Sequence, residues 1–202
     1  MSENPTTPKS DDVINLHSEA LDVAEHTNEE EVLAFIEIPR GSRNKYEFDE
    51  ETGTFHLDRV LYSSVHYPTD YGFVPDTLAD DGDHLDLCVP MTEPASPGCT
   101  IMARPLGGLD MQDEKGEDFK LLAVPVNDPR FNHYRQLEQV GKHWLREIET
   151  FFATYKLLEG KETNIVGWFG LDYAKNQIEM SRNKYRDSVA AQRFIEKDAA
   201  RP

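Results

Sequence analysis

Short strand signals punctuated by Gly and Pro fill this chain from about residue 31 to 126, and helix-like spacing is confined to the C-terminal half; that order constrains the fold more than any other feature. The first apolar run, Glu31-Val32-Leu33-Ala34-Phe35-Ile36-Glu37-Ile38, reads as a strand stopped by Pro39. Residues 45–48 and 55–59 read as two more strands, flanking the turn Glu50-Glu51-Thr52-Gly53. Further strand signals lie at 101–104, 119–126 and 164–168. Strands this closely spaced, punctuated by Gly and Pro and not alternating with helices, point to a small closed or nearly closed barrel. Trp144, Leu145, Ile148, Phe151, Phe152, Tyr155 and Leu158 then recur at helical spacing, with Gly160 as a stop. A weaker helix is expected from about Asp172, a possible cap, through Ala174, Ile178, Ser181, Tyr185 and Val189. The fold class is therefore α+β, a barrel first and flanking C-terminal helices after it.

One segment does not read as structure alone. Asp80-Asp81-Gly82-Asp83-His84-Leu85-Asp86 packs carboxylates so densely that they disfavour one another's ionised form unless cations lie between them. A second cluster holds Asp110, Asp113, Glu114, Glu117 and Asp118, with Lys120 just beyond. All-oxygen donor sets of this kind suit hard ions such as Mg²⁺, Mn²⁺ or Ca²⁺. An EF-hand is excluded, because the required glycine and the closing glutamate do not fall in register. Asp118 and Lys120 share one strand face, so a metal ion and a phosphoryl oxygen could be held side by side there.

The net charge of −17 over 202 residues argues against binding nucleic-acid phosphates or an anionic membrane surface. A small polyanion remains possible, provided that ions and local cations reverse the sign inside the pocket. Candidate cations exist. Lys45 and Glu47 share a strand face, Arg59 ends the next strand, and Tyr155-Lys156 closes the first helix. Tyr67 and Tyr71 sit in a segment stiffened by Pro68 and freed by Gly72, and each alone reads as a core or barrel-rim residue. Cys88 and Cys99 form neither a disulfide framework nor a zinc signature. With no apolar stretch able to span a bilayer and no signal pattern, a cytoplasmic setting is expected. Residues 1–30 are polar, acidic and free of aromatics, which favours a disordered tail.

Taken in order, these pieces resemble the soluble family I inorganic pyrophosphatases of bacterial type. The likeness runs from about Val32 to Tyr185. It rests on Ile36-Glu37-Ile38-Pro39, Lys45-Tyr46-Glu47, Asp58-Arg59, Tyr67-Pro68-Thr69-Asp70-Tyr71-Gly72, Asp81-Gly82-Asp83-His84-Leu85-Asp86, Arg104-Pro105, the block from Asp113 to Lys120, and Phe151-Phe152-Ala153-Thr154-Tyr155-Lys156. It implies a five-stranded barrel of OB-like topology, hydrolysis of pyrophosphate to two phosphates, several Mg²⁺ ions per site with Mn²⁺ or Zn²⁺ as possible substitutes, and a homo-oligomer, a hexamer in relatives of this type.

Residue by residue, the resemblance implies that Asp81, Asp86 and Asp118 hold a first ion, with Asp86 shared by a second. Asp113, with Asp118 and Glu47 through water, would hold an ion arriving with substrate. Asp83 matches the residue that orients and deprotonates the attacking water, with Tyr71 beside it. Lys45, Arg59, Tyr155 and Lys156 match the phosphate grips, joined by Lys120, while Glu37 and Tyr67 match the supporting shell. The catalytic domain would span 31–195, with a short tail over 196–202. His84 departs from the signature, which usually has proline or glutamate at that position; within the acidic run it is read as pointing away from the ions. A non-catalytic divalent-ion protein would leave the matching lysines, arginine and tyrosines unexplained. A single-strand nucleic-acid module would need a basic groove that this sequence lacks. An enzyme acting on nucleotides or polyphosphate is the nearer alternative, since pocket size decides between them.

Overall fold

Strict alternation makes β1 (Val32–Ile38) a strand with one wholly inward face: Val32, Ala34, Ile36 and Ile38 are all fully buried. The computed structural model describes residues 31–114 and 116–199; the expected tail over 1–30 and Lys115 lie outside them. Seven further strands follow: β2 (Asn44–Asp49), β3 (Thr54–Val60), β4 (Asp70–Val74), β5 (Leu85–Val89), β6 (Thr100–Asp113), β7 (Gly116–Pro125) and β8 (Asn164–Gly170). Among the described residues two α-helices accompany them, α1 (Lys142–Thr154) and α2 (Leu171–Ala199). The latter continues into the segment expected as a C-terminal tail.

Five strands pair in a ring. β1 pairs with β4, β4 with β5, β5 with β7, β7 with β6, and β6 back to β1. The β6 strand is long enough to pair with β1 through its first residues and with β8 through its second half, so β8 extends the ring into a six-stranded mixed sheet. The membership differs from the sequence reading. β2 and β3 pair only with each other as a separate hairpin, and β4 and β5 stand in the ring instead. β4 escapes a pattern search because all five of its residues are buried, Asp70 included. That carboxylate accepts hydrogen bonds from the Arg40 and Ala95 N–H groups, each at 2.7 Å, which makes its burial tolerable. Gly72 is required in β4: a Cβ there would lie 1.9 Å from the Phe35 carbonyl oxygen on β1.

Two hydrophobic clusters flank the sheet. One draws on all five ring strands, from Val32, Ala34 and Ile36 through Val74, Leu85, Leu87, Val89, Ala103, Leu121 and Ala123, and is capped by Ala174 and Ile178 of α2. The other joins Cys88, Leu109, Met111, Leu122 and Val124 to Ile148, Phe151, Phe152 and Tyr155 of the α1 region. Each fully buried Leu or Ile side chain contributes about 2 kcal/mol. The α1 helix stops at Thr154, earlier than the apolar spacing implies. A 3₁₀ turn (Leu157–Glu159) follows, and Gly160 takes a left-handed φ of 72°. Leu157 and Leu158 consequently face outward, while Lys156 and Glu159 are turned toward the open face of the sheet.

Candidate active site

Asp86 and Cys88 lie on one face of β5, and Asp118, Lys120 and Leu122 on one face of β7. The parallel register, Cys88 opposite Leu122, sets Asp86 beside Lys120. The Lys120 ammonium bridges the two strands, bonded to Asp86 and, at 2.6 Å, to Asp118. It is almost fully buried, lying 5.8 Å from the centre of the Tyr71 ring and 5.7 Å from that of Phe152. Burial alone would depress this lysine. The two carboxylates outweigh it and hold the ammonium well above its ordinary value. One ammonium cannot neutralise two acids, and the deficit appears on Asp118, where burial, with Asp86 adding to it, pushes the carboxyl up to about 6 against the pull of Lys120.

This bridge forms the floor of a cleft of about 700 Å³. The β2–β3 hairpin forms one wall. Its Phe48 and Phe55 rings pack with Phe35 at centroid distances of 4.8 and 6.0 Å. On that hairpin Lys45 is bonded to Glu47 and lies 3.2 Å from Asp58, which is also bonded to Arg59. Glu37 of β1 ties the hairpin down by accepting the Phe48 N–H at 2.8 Å. Burial pushes the Glu37 carboxyl up to about 7, against that hydrogen bond. The opposite wall comes from the β6–β7 turn and the end of α1. There Lys156 reaches Asp113 at 2.7 Å and Glu114 at 3.4 Å, and is held above its ordinary value by Tyr155 and these acids in spite of burial. The β4–β5 loop forms the third side and carries Asp81 and Asp83. Gly82, at φ 93°, makes its turn, with the Asp83 N–H on the Asp81 carboxylate at 3.1 Å.

Every residue read as a site candidate lines this cleft except Tyr67. Tyr67 sits behind it in the core, its ring 5.4 Å from Tyr71 and 4.7 Å from Phe151. His84 is fixed away from Asp83 and Asp86. Its Nδ1 lies 2.6 Å from the Thr77 carbonyl oxygen, its Nε2 3.1 Å from Glu50, and its ring is stacked 4.7 Å from Phe73. The sequence reading placed Asp58 and Glu114 in its motifs without an individual role, and passed over Glu159 and Lys161. Their signal is tertiary: Arg59 meets Glu159 at 2.9 Å, and Lys161 meets Glu114 at 2.7 Å.

Ten carboxylates and five lysine or arginine side chains line the cleft. That excess of oxygen donors suits hard divalent cations. Among the described residues no three acidic, histidine or cysteine side chains form a ready-made cage; lysines bridge the acids instead. Incoming ions would take over carboxylates such as Asp86, Asp118 and Asp113 from those ammonium groups.

The comparisons with known proteins follow the same outline. The profile of the family described as "Inorganic pyrophosphatase" matches residues 34–186. The inorganic pyrophosphatase of Methanosarcina acetivorans is 53% identical over 150 residues, covering 74% of this chain and 89% of the relative. That of Nostoc sp. is 55% identical over 151 residues, covering 75% and 89%. The crystal structure of inorganic pyrophosphatase from Thermus thermophilus superposes with a TM-score of 0.76 at 41% identity, covering 83% of this chain and 97% of that one. Coverage on this scale takes in the ring, the hairpin and every wall of the cleft, and the chain belongs to the family I inorganic pyrophosphatases.

Proposed function

We propose that this chain hydrolyses inorganic pyrophosphate to two phosphates with Mg²⁺, using Asp83 as the general base. The observation that carries this reading is the meeting of Asp81, Asp83, Asp86, Asp113 and Asp118 with Lys45, Arg59 and Lys156 around one cleft. A cleft that is acid-rich overall and has cations set at its walls suits a small, highly charged anion that enters with metal ions.

Asp81, Asp86, Asp118, Asp113 and Glu47 would hold the ions. When bound, Mg²⁺ supplies positive charge against the pyrophosphate oxygens and makes an attacking water more acidic. Lys45, Arg59, Tyr155 and Lys156 hold the phosphoryl oxygens from the walls. Asp83 accepts the proton of the water as its oxygen bonds to phosphorus; the bridging P–O bond breaks and its electron pair leaves with the departing phosphate. A positioned base contributes about 10²–10⁴-fold, and the fixed cations on the leaving group contribute the larger share. Lys120, with Tyr71 beneath it, keeps Asp86 and Asp118 apart and correctly faced.

The same reading takes the five-strand ring as a closed barrel of OB-like topology, residues 31–195 as the catalytic domain, and the protein as a cytoplasmic homo-oligomer, a hexamer by its likeness to bacterial relatives. Among the described residues no helix is long and apolar enough to cross a membrane. Phosphate release from pyrophosphate tests the reading, measured with Mg²⁺, after chelation, and with Asp83→Asn. Rapid release that requires both the ion and Asp83 is expected. Near-normal turnover of D83N removes Asp83 as the base. No release from the folded protein with Mg²⁺, Mn²⁺ or Zn²⁺ overturns the activity.

A further inference from the structure

Four phenylalanines beside the cleft, Phe35, Phe48, Phe55 and Phe73, belong to neither hydrophobic cluster. Phe35 of β1 is opposite Phe73 of β4, and Phe73 is opposite Asp86 of β5, so the two rings lie on the sheet face that carries that acid. Phe48 and Phe55 are partners across the hairpin, 5.1 Å apart, and both pack on Phe35. Phe35 meets Phe73 at 5.1 Å, and Phe73 stacks on the His84 ring at 4.7 Å with 14° between their planes. Five rings in contact thus run from the β2–β3 hairpin to the acidic β4–β5 loop, each spacing within the range of favourable aromatic pairs.

The hairpin depends on contacts of this kind. Among the described residues β2 and β3 pair with no strand but each other, so side chains place them over the ring. Glu37 ties the hairpin to β1, and Glu159 ties it to the turn after α1. Neither bond reaches the acidic loop. The His84 ring belongs to that loop, fixed by its Nδ1 at 2.6 Å from the Thr77 carbonyl oxygen. Its Nε2 also lies 3.1 Å from Glu50 on the hairpin turn, but that side chain is 62% exposed and the pair adds little. The weight of the connection falls on the rings. Neither the proline nor the glutamate usual at this signature position could give Phe73 a second planar ring, so the departure at His84 has a use here.

We propose that Phe35, Phe48, Phe55, Phe73 and His84 form one positioning row, which sets the separation between Lys45 and Arg59 on the hairpin and Asp81 and Asp83 on the acidic loop. Closely packed rings do not shift one at a time, so a displacement at either end is passed along the row. The proposal rests on the reading of the hairpin as the phosphate wall and of the loop as the wall that handles ion and water. It differs from ordinary packing, in which each ring would stabilise only the segment that carries it.

Amide exchange in the chelated full chain separates these roles. Phe55→Leu keeps an apolar side chain and removes the ring at the hairpin end. The row joins Phe55 to the β4–β5 loop through Phe35 and Phe73, so exchange over residues 78–84 should quicken about threefold. Phe73→Leu should quicken exchange over the hairpin, residues 44–60, by about the same factor. The double variant should add little, since both changes break one row. Phe55→Tyr keeps the ring and should keep wild-type exchange. Phe131→Leu, in the cluster around α1, should lower the thermal midpoint and leave both segments as they are. In phosphate release, kcat should fall about tenfold in F55L and in F73L, as for a misplaced base, and hold in F131L. Variants that each loosen only their own wall overturn the proposal, as does faster exchange across the whole chain or an unchanged kcat in both. Folded wild type that releases no phosphate overturns the reading of the cleft, while the exchange data, which need neither ion nor substrate, still decide whether the row joins its walls.

Discussion

Arg59 and Glu159, 100 residues apart in the chain, meet with 2.9 Å between Nε and Oε1, so the hairpin carrying one proposed phosphate grip is tied to the turn after α1. The Glu159 side chain is only 8% exposed, so water does little to weaken the pair. Glu159→Gln keeps the shape and removes the charge that orients the guanidinium. A charge-assisted bond of this kind is worth about 1.5–3 kcal/mol, and KM for pyrophosphate is expected to rise about tenfold with kcat changed far less. Steady-state kinetics checks this, and an equal fall in kcat at constant KM would show that Glu159 acts in the chemical step.

Lys120 is the counter-ion of Asp86 and Asp118 in the absence of metal. Lys120→Met keeps the packing against Tyr71 and Phe152 but leaves two acids facing each other. Urea unfolding of the chelated variant should show a loss of about 3 kcal/mol. Saturating Mg²⁺ should narrow the gap, because bound cations take over the neutralisation. A gap that is the same with and without Mg²⁺ would mean that the ions bind elsewhere.

Glu37 gives the fold a pH signature. Burial raises its carboxyl from 4.5 to about 7, so between those values the folded chain keeps a proton that the unfolded chain has released. The contribution to stability is complete below pH 4.5 and declines as pH rises through about 7. Partial exposure limits the total to about 2 kcal/mol. Glu37→Gln, which can still accept from the Phe48 N–H, should gain about that much over wild type as pH is raised from 4.5 to about 7, measured by unfolding in chelator. A constant difference between the two proteins across that range would disprove the assignment.

The two thiols should differ sharply in reactivity. Cys88 is buried, and that burial pushes its thiol up to about 12, while Cys99 is exposed. Mass spectrometry after brief alkylation of the native protein should find Cys99 modified and Cys88 intact, with Cys88 labelled only in denaturant. Equal labelling of both would place Cys88 on an opening segment.

Where residues fall in one strand or one run, the sequence is readable. β1 announces itself by four inward residues at alternate positions, and the acidic ligand candidates by a density that has no purely structural use. In β5 only Asp86 breaks a run of buried residues, and its first residues also complete the acidic run, which hides the strand. β4 has no alternation to read, since both its faces are covered, Tyr71 packing in one hydrophobic cluster and Val74 in the other. Leu158 falls at helical spacing yet is exposed, because Gly160 and the 3₁₀ turn end the regular helix before that residue can face inward. The pairs Arg59–Glu159 and Lys161–Glu114 need the hairpin and the α1 terminus to be brought together first, and no local pattern encodes that meeting.

The parallel contact between β5 and β7 also sets the order in which the pocket can come into being. Among the described strands it is the one parallel pairing, and it joins Asp86 to a lysine 34 residues downstream, across the whole of β6. Contacts of this separation close late, since the intervening chain must be ordered before they yield any gain. A nascent chain that has emerged only through β5 therefore carries Asp81, Asp83 and Asp86 with neither Lys120 nor Asp118 to oppose or join them. The acidic loop is thus present in the chain before the lysine that offsets it, and the cleft is complete only once β7 has paired with β5.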